Sequence, residues 1–272
     1  MKFKKPSVFL LTGAASGIGA AFARLAVEEG HQVMLADIDL RGAKAMAAPL
    51  GDRASAVALD IRSPQAWEQA LDATVQRFGP IDVLVNNAAI VHTGNARDVP
   101  LDLHQRTIDT NFMGPLTGML AGLRRFNAQG YGHLVTVCSM TAFLPFPGIA
   151  SYGASKHALR AFHHALALEE RRGPVDFTIV HPTSTQTPML EQEKNDDATA
   201  LAFASEPVTP EFVAETIMRG IKRKTLEVFM PPEQARAVRS LGTDAKKLHS
   251  LIDQMEMIGR DAQLAARRES VA

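Results

Sequence analysis

Short apolar runs alternate along this chain with longer stretches in which apolar residues recur every three or four positions. Runs of the first kind are typical of strands, and stretches of the second kind are typical of helices with one buried face. The predicted strands are Val8–Thr12, Gln32–Asp37, Ala54–Asp60, Val83–Asn86, His133–Cys138, Phe177–His181 and Leu226–Met230. The predicted helices are Gly17–Glu29, Leu40–Leu50, Pro64–Phe78, Leu103–Gln129, Ser151–Arg172 and Pro210–Lys222, the fourth being broken near Gly114 and Pro115. This alternation predicts an α/β fold, a doubly wound parallel sheet of about seven strands with helices on both faces.

Two regions depart from this alternation. Residues 183–208 show no clear strand, and so long a connection in a compact domain is usually functional or mobile. Residues 231–272 begin with two prolines and then become helical and highly charged. Their apolar residues repeat at spacings of three and four, at Leu248, Leu251, Ile252, Met255 and Ile258. We expect residues 1–230 to form one domain and residues 231–272 to be a helical tail of it. The apolar stripe should pack on the body, on the ligand cleft or on another subunit.

Composition narrows the class of protein. A length of 272 residues fits one large α/β domain or two small ones, and 46% hydrophobic residues are enough for a buried core. Lys and Arg together number 29 and so do Asp and Glu, which gives no support for a nucleic-acid or anionic-membrane partner. One cysteine excludes an intrachain disulfide. No apolar run reaches the roughly 18–20 residues of a membrane span, and Met1–Pro6 do not open a secretion signal. We therefore expect a cytoplasmic protein.

The first predicted strand runs into a glycine-rich turn and then a helix. The candidate cofactor-binding residues of this turn are Gly13, Ser16, Gly17, Ile18 and Gly19. Gly13 permits the tight turn, Gly17 lets the backbone approach a ligand, and Gly19 lets helix and strand pack closely. The helix N-terminus presents free N–H groups to a phosphate. The turn therefore suits a dinucleotide pyrophosphate, although a ligand-free turn that starts a helix would look similar.

Asp37 ends the second predicted strand, about 20 residues after the glycine-rich turn. A carboxylate at this position can accept hydrogen bonds from the adenosine ribose, and it would repel a 2′-phosphate. Residues 14–16 contain no Lys or Arg to bind that phosphate, and Arg41 is the nearby base that argues for NADP. We predict NAD as the cofactor, with NADP as the alternative. A plain carboxylate at the start of a loop is the other interpretation of Asp37.

Three further residues can move the proton that accompanies a hydride. Tyr152 and Lys156 are four residues apart in a predicted helix, so they share one face. A tyrosine needs its pKa lowered from about 10 to about 7 to act at neutral pH, and a nearby ammonium favours the phenolate. Ser139 follows a predicted strand, where its hydroxyl can orient a substrate oxygen. The sequence therefore predicts Tyr152 as the general acid/base, assisted by Lys156 and Ser139.

This ordered set of residues resembles the short-chain dehydrogenase/reductase family over about residues 8–230. The residues that carry the resemblance are Thr12–Gly19, Asp60, Asn86–Ala89, Asn111, Ser139 and Tyr152–Lys156. The resemblance implies that Asn111 holds a water that links Lys156 to a proton relay, and that Lys156 also binds the nicotinamide ribose. The other cofactor contacts it implies, from adenine to nicotinamide, are Asp60, Ile61, Asn87, Ala88, Pro182, Thr185 and Thr187.

The sequence departs from the family pattern in three places. Ala89 stands where a glycine is common, and Thr183 follows Pro182 where the family commonly has Pro-Gly. The second change raises the question of which backbone conformation lies near the nicotinamide and of what Thr185 contacts. The tail after Met230 is longer than in the smallest members, so substrate access or assembly can differ.

Nine histidines raise the question of a metal site, but no His-Glu-x-x-His motif is present and one cysteine cannot form a thiolate set. We therefore expect no metal. Residues 143–147, Phe-Leu-Pro-Phe-Pro, lie between Ser139 and Tyr152. They fit either an apolar wall of the substrate pocket or plain core packing.

These observations predict an NAD-dependent oxidoreductase that interconverts a secondary alcohol and a ketone on a Rossmann-type fold. The substrate should be a small molecule with an apolar part. Two alternatives stay open: the same chemistry with NADP, and a dinucleotide-binding regulatory or scaffold protein with little turnover. The resemblance also implies a homodimer or homotetramer.

Overall fold

In the computed structural model, which describes residues 6–269, parallel strands form one seven-stranded sheet. The strands are β1 (Val8–Thr12), β2 (Gln32–Asp37), β3 (Ala54–Ala58), β4 (Val83–Asn86), β5 (Gly132–Val137), β6 (Val175–Pro182) and β7 (Glu227–Met230). Their order across the sheet is β3-β2-β1-β4-β5-β6-β7, and all six neighbouring pairs are parallel. The predicted doubly wound architecture is confirmed.

Ten α-helices lie within residues 6–269. They are α1 (Gly17–Glu28), α2 (Leu40–Ala47), α3 (Pro64–Phe78), α4 (Leu101–Ile108), α5 (Gly114–Gln129), α6 (Ala150–Glu169), α7 (Pro188–Lys194), α8 (Pro210–Arg223), α9 (Ala235–Gly242) and α10 (Ala245–Glu269). A π-helical turn, Asp109–Met113, joins α4 to α5 and accounts for the break predicted near Gly114. The predicted third strand and second helix are too long, because β3 ends at Ala58 and a 3-10 turn replaces the α-helix from Ala48 onwards.

The core has two layers, one on each face of the sheet. Alternate residues of β1 point to opposite faces, so Phe9 packs with Phe22 of α1 while Leu10 joins Trp67 of α3 and Phe126 of α5. These side chains are fully buried. Burial of a large apolar side chain stabilises a fold by roughly 1.5–3 kcal/mol. The two layers thus fix the sheet rigidly between its helices.

The strand order reverses at β1, whose two neighbours are β2 and β4. A crevice forms at such a point beyond the carboxyl ends of the strands, where open α/β sheets bind their ligands. The glycine-rich turn follows β1, Asp37 ends β2, Asn87 follows β4 and Ser139 follows β5. The topology therefore gathers motifs that are far apart in sequence along one edge of the sheet.

Residues 183–208 are not the irregular loop that the sequence indicated. They contain α7 and a run of 3-10 turns, Asp197–Phe203. A parallel bridge between Thr185 and Val208 ties the two ends of the segment together. With only seven residues, α7 is too short to show a helical period, which explains why the pattern was missed.

The tail is helical, as predicted, and α10 packs against the 183–208 segment. The side-chain amide of Gln263 donates hydrogen bonds to the backbone oxygens of Glu193 (3.1 Å) and Asp196 (2.8 Å). Gly259 makes this approach possible, because a Cβ there would lie 2.1 Å from the carbonyl oxygen of Ala200.

Only part of the predicted apolar stripe of the tail is buried. Leu248 is buried and Ile252 half-buried beside Phe143 and Phe229, whereas Ile258 is exposed. The last three residues of the predicted tail, 270–272, lie outside the described residues, as do residues 1–5 of the expected N-terminus. None of the helices between residues 6 and 269 is both long and apolar enough to cross a membrane.

Candidate active site

A cleft of about 650 Å³ opens at the carboxyl ends of the strands and holds nearly all of the predicted site residues. Those that line it are Gly13, Ser16, Gly17, Ile18, Asp37, Asp60, Ile61, Asn87, Ala88, Ser139, Tyr152, Lys156, Pro182, Thr185 and Thr187. Gly19 and Asn111 do not line it. Among residues 6–269, no group of three or more His, Cys, Asp or Glu side chains is arranged to hold a metal ion.

The glycine-rich turn has the geometry expected of a phosphate cradle. Gly13 and Gly17 have φ angles of 65° and 53°, in the left-handed region that favours glycine. A Cβ on Gly13 would lie 2.7 Å from the Cα of Ala88, and one on Gly19 would lie 2.1 Å from the carbonyl oxygen of Gly13. Gly19 thus packs α1 onto the turn. Ser16 precedes α1 and makes no side-chain cap, so its side chain does not occupy the first amides of the helix.

Asn87 and Thr12 lock this turn to the end of β4. The Thr12 hydroxyl accepts hydrogen bonds from the backbone N–H of Asn87 (3.0 Å) and of Ala88 (3.1 Å). The Asn87 amide donates to the carbonyl oxygens of Thr12 (2.9 Å) and Gly13 (3.1 Å). Asn87 therefore supports the shape of the turn with its side chain. Thr12, which the sequence did not single out as a site residue, is the centre of the network.

Two carboxylates lie at the far end of the cleft, and their surroundings differ. Asp37 accepts hydrogen bonds from the backbone N–H of Ala15 and of Asp39, each 2.9 Å long. Asp60 instead pairs with the Arg62 guanidinium at 2.6 Å. That hydrogen-bonded partner lowers the pKa of Asp60 below its usual value. The glycine cradle, the exposed helix N-terminus and Asp37 in one cleft fit a dinucleotide.

The catalytic candidates meet at the other end of the cleft. Tyr152 and Lys156 lie one turn apart on α6, and the Lys156 ammonium is 5.4 Å from the centroid of the Tyr152 ring. Lys156 is only 2% exposed and donates a hydrogen bond to the carbonyl oxygen of Val137 (3.2 Å). Ser139 follows β5, and its hydroxyl accepts a hydrogen bond from the backbone N–H of Thr141 (3.1 Å). The structure thus places the three predicted side chains at the same end of the cleft.

The pKa of Tyr152 is raised, which is opposite to the direction that the sequence led us to expect. Burial is the main cause, followed by the negative charge of Glu193, and a hydrogen bond with Ser139 opposes them. The ammonium of Lys156 does not offset this, since it points to a backbone carbonyl and burial lowers its own pKa. The phenol is therefore the favoured form of Tyr152 in this structure.

Asn111 lies in the π-helical turn and is completely buried. Its side chain pairs with the backbone of Ile90, accepting from the N–H and donating to the carbonyl oxygen, both at 2.8 Å. The side chain thereby fixes the stretch after β4 that lines the cleft. The role of Asn111 in holding a relay water stays a prediction.

Residues 143–147 are divided between the wall of the cleft and the core. Phe146 lines the cleft. Phe143 and Leu144 are buried in the core, where the ring of Phe143 packs on His181 and Phe229. Cys138 is buried beside them, its thiol donates to the carbonyl oxygen of Lys156 (3.4 Å), and burial raises its pKa to about 11. A thiol of this kind packs in the core and is not a nucleophile.

The two residues that replace glycines of the family pattern, Ala89 after β4 and Thr183 after β6, keep an ordinary backbone. Lys224 is the one non-glycine residue with a positive φ between residues 6 and 269, so neither Thr183 nor Ala89 requires the glycine that the family commonly has. His181, near the end of β6, lies with Nδ1 3.2 Å from the carbonyl oxygen of Ser139 and Nε2 3.2 Å from the carboxylate of Glu227. His181 thus supports the backbone of Ser139, and no local pattern in the sequence predicts this contact.

Glu193 and Thr141 are two further residues of the cleft that the sequence did not indicate. Glu193 is buried on α7, and burial raises its pKa to about 7. The Thr141 hydroxyl is buried without a hydrogen-bond partner among the described residues. Both positions depend on the course of chain segments outside the strands, which periodicity does not reveal.

Comparisons with known proteins agree with this geometry. A family model described as short chain dehydrogenase matches residues 7–198. The 3-alpha-(or 20-beta)-hydroxysteroid dehydrogenase of Mycobacterium tuberculosis (strain CDC 1551 / Oshkosh) is 36% identical over 202 residues, which are 74% of this chain and 78% of that protein. The chain therefore belongs to the short-chain dehydrogenase/reductase family, and it is an NAD(P)-dependent oxidoreductase with a small-molecule substrate.

Solved structures show the same fold. A short chain dehydrogenase/reductase from Burkholderia phymatum in complex with NAD gives a TM-score of 0.81 at 22% identity, covering 89% of this chain and 95% of that chain. The 3-ketoacyl-(acyl-carrier-protein) reductase from Brucella melitensis complexed with NADH gives 0.75 at 28% identity, covering 83% and 96%.

Proposed function

We propose that this protein interconverts a secondary alcohol and a ketone, with NAD as the cofactor and Tyr152 as the general acid/base. The observation that carries the proposal is the meeting of Ser139, Tyr152 and Lys156 in the same cleft as the glycine-rich turn. A binding protein would need the turn but not the proton-transfer set. This favours an enzyme over the regulatory alternative.

When bound, the dinucleotide supplies or accepts the hydride at the carbon that reacts. Tyr152 gives its phenolic proton to the carbonyl oxygen in reduction and takes it from the hydroxyl in oxidation. The Ser139 hydroxyl donates a hydrogen bond to the same oxygen and fixes its position. Lys156 would hold the nicotinamide ribose, and its ammonium would stabilise the phenolate once it turned from the carbonyl oxygen of Val137 towards Tyr152. Asn111 would hold a water that leads on to a proton relay.

The dinucleotide would lie along the cleft from Asp37 to the end of β6. Gly13, Ser16, Gly17 and Ile18 would hold its pyrophosphate, and Gly19 keeps their turn in shape. The residues proposed to hold the adenine, the ribose and the nicotinamide are Asp60, Ile61, Asn87, Ala88, Pro182, Thr185 and Thr187. Backbone amides hold the carboxylate of Asp37 in place at the end of β2, and its negative charge beside the adenosine ribose would disfavour a 2′-phosphate. This supports NAD over NADP.

The substrate class follows from the wall of the cleft and from a relative. Apolar side chains such as Phe146, Ile149 and Met189 line the cleft beside Tyr152. The relative from Mycobacterium tuberculosis is named for hydroxysteroids, which are large apolar secondary alcohols. We expect an alicyclic or steroid-like alcohol or ketone as substrate. We also expect a homodimer or homotetramer in which residues 231–272 belong to the domain formed by residues 1–230.

Tyr152→Phe tests the proposal, because it removes only the hydroxyl that transfers the proton. We expect kcat on the best of a panel of secondary alcohols to fall by about 10² to 10⁴-fold. The NADH dissociation constant from titration calorimetry should stay within a few fold. A variant that keeps more than about a tenth of the wild-type kcat would show that another group is the acid/base. Wild-type protein that binds NADH but oxidises no alcohol and reduces no ketone would favour the regulatory alternative.

A further inference from the structure

Glu193 is a buried carboxyl group that faces the cleft and is not used by the chemistry above. It lies on α7, its residue is only 9% exposed, and it lines the same cleft as Tyr152. Its side chain has no hydrogen bond or ion pair with any residue in the range 6–269. Its negative charge contributes to the raised pKa of Tyr152, so the two side chains interact electrostatically across the cleft.

Two cations close to Glu193, Lys194 next to it in the chain and Arg267 of α10, have other partners. Lys194 pairs with Glu191. Arg267 of α10 donates to the carbonyl oxygen of Lys194 and pairs with Asp197 at 2.7 Å. A buried carboxyl group without a partner is unfavourable, since burial removes the water that would solvate its charge. An unpaired carboxyl group in a cleft therefore indicates a ligand that supplies a hydrogen-bond donor or a positive charge to it.

The backbone of Glu193 is held in place from two sides. Its carbonyl oxygen accepts hydrogen bonds from the Thr199 hydroxyl and from the Gln263 amide of α10. The side chain therefore projects from a fixed point, as a recognition group needs to do. Thr141, whose buried hydroxyl lacks a partner among the described residues, lines the same cleft and is a second polar group that a ligand can satisfy.

We propose that Glu193 determines substrate specificity by accepting a hydrogen bond from a hydroxyl or ammonium group of the substrate, at a position remote from the carbon that reacts. This rests on the proposed function, because it places the substrate between Tyr152 and Glu193. At pH 8, the pH of the test below, Glu193 is ionised, and an ionised carboxyl group accepts hydrogen bonds and cannot donate them. The preferred substrates are therefore secondary alcohols or ketones that carry a second hydrogen-bond donor, and a plain ether or alkyl group at that position is disfavoured.

The test uses four alcohols that share one ring: cyclohexanol, trans-4-methoxycyclohexanol, trans-cyclohexane-1,4-diol and trans-4-aminocyclohexanol. In wild-type protein with NAD at pH 8, we expect kcat/KM for the diol to exceed that for the methoxy compound by about tenfold to a hundredfold, the usual value of a hydrogen bond to a charged acceptor. This is well above the factor of two that arises because the diol has two equivalent alcohols. A higher kcat/KM for the amino compound than for the diol would identify the preferred donor as an ammonium group. A higher kcat/KM for the diol would identify it as a hydroxyl group.

In Glu193→Leu, the ratio of kcat/KM for the diol to kcat/KM for the methoxy compound should fall close to the factor of two. In Glu193→Gln, the same ratio should be lower than in the wild type. Glu191→Gln is the matched control, since Glu191 is an exposed glutamate on the same helix, and it should keep the wild-type ratio. The NADH dissociation constant should not change in Glu193→Leu. An equal loss on all four alcohols, a weakened NADH affinity or an unchanged ratio would each overturn the proposal.

Failure of the proposed function would look different. Wild-type protein would then turn over none of the four alcohols, and binding would test Glu193 instead. Saturation-transfer NMR with the diol and the methoxy compound, in the presence of NAD, would compare wild type with Glu193→Leu. Selective binding of the diol that Glu193→Leu abolishes supports recognition by Glu193, and equal binding of both compounds refutes it.

Discussion

Glu193 should make the free energy of unfolding depend on pH, which can be measured without any substrate. Its pKa is about 7 in the folded protein, raised by burial from an ordinary value of 4.5. Below pH 4.5 the carboxyl group is protonated in both the folded and the unfolded state. Between pH 4.5 and 7 the unfolded chain ionises while the folded protein keeps its proton, so the free energy of unfolding falls as the pH rises. Above pH 7 both states are ionised and the loss is complete.

The size of this loss follows from the shift in pKa. Each pKa unit corresponds to about 1.36 kcal/mol, so the shift at Glu193 costs about 3 kcal/mol at pH 8. Glu193→Gln cannot ionise and avoids this cost. The difference in free energy of unfolding between the variant and the wild type should therefore rise by about 3 kcal/mol from pH 4.5 to pH 8. A constant offset from the altered packing of the amide does not affect this slope.

Urea denaturation at a series of pH values measures the difference directly. All other titrating groups are common to the two proteins and cancel. Glu191→Gln again provides the control, and its difference from wild type should stay nearly flat over the same range. A difference for Glu193→Gln that does not change with pH would mean that Glu193 titrates normally. The unpaired buried carboxylate, and with it the argument for a substrate partner, would then be refuted.

Three further predictions concern the two ends of the cleft. Asp37→Ser should lower kcat/KM with NAD and raise it with NADP, because it removes the charge that repels a 2′-phosphate; a wild type that already prefers NADP would contradict the assignment. Gln263→Leu should raise KM for the substrate while the NADH dissociation constant changes by less than a few fold, because Gln263 holds the backbone of Glu193 and lies far from the glycine-rich turn in the chain. Steady-state kinetics measure kcat/KM and KM, and titration calorimetry measures the NADH dissociation constant. Truncation after Gly242 removes all of α10, and it should change KM in the same direction as Gln263→Leu. A truncated protein with unchanged kinetics and stability would show that α10 is a solvated appendage.

The parts of the site that could be predicted from sequence are those whose geometry is local. Gly13 and Gly17 form their turn through their own φ angles, and Tyr152 and Lys156 share a face because one helical turn separates them. The strand pattern then placed these motifs at one edge of the sheet. Spacing within a segment and the topology of an α/β sheet were enough for this half of the site.

The features that could not be predicted are contacts between distant segments of the chain. Asn111 pairs with Ile90, and His181 supports Ser139 from the next strand. The raised pKa of Tyr152 is of the same kind, since a local pairing with Lys156 predicted the opposite direction. Burial and the charge of Glu193 are its main causes, and Glu193 lies on α7, in the 183–208 segment whose structure the sequence pattern does not reveal.

The two ends of the cleft are built from different parts of the chain, so in the proposed enzyme the cofactor end and the substrate end are formed separately. The cofactor end is formed at the ends of strands in the rigid sheet. The substrate end is formed in part by α7 and the turns after it, which α10 holds through Gln263 and through the close packing of Gly259 on Ala200. The family model ends at residue 198, before α10 begins. A change in α10 can therefore move Glu193 and alter which alcohols are accepted, while the glycine-rich turn and Asp37 keep their geometry.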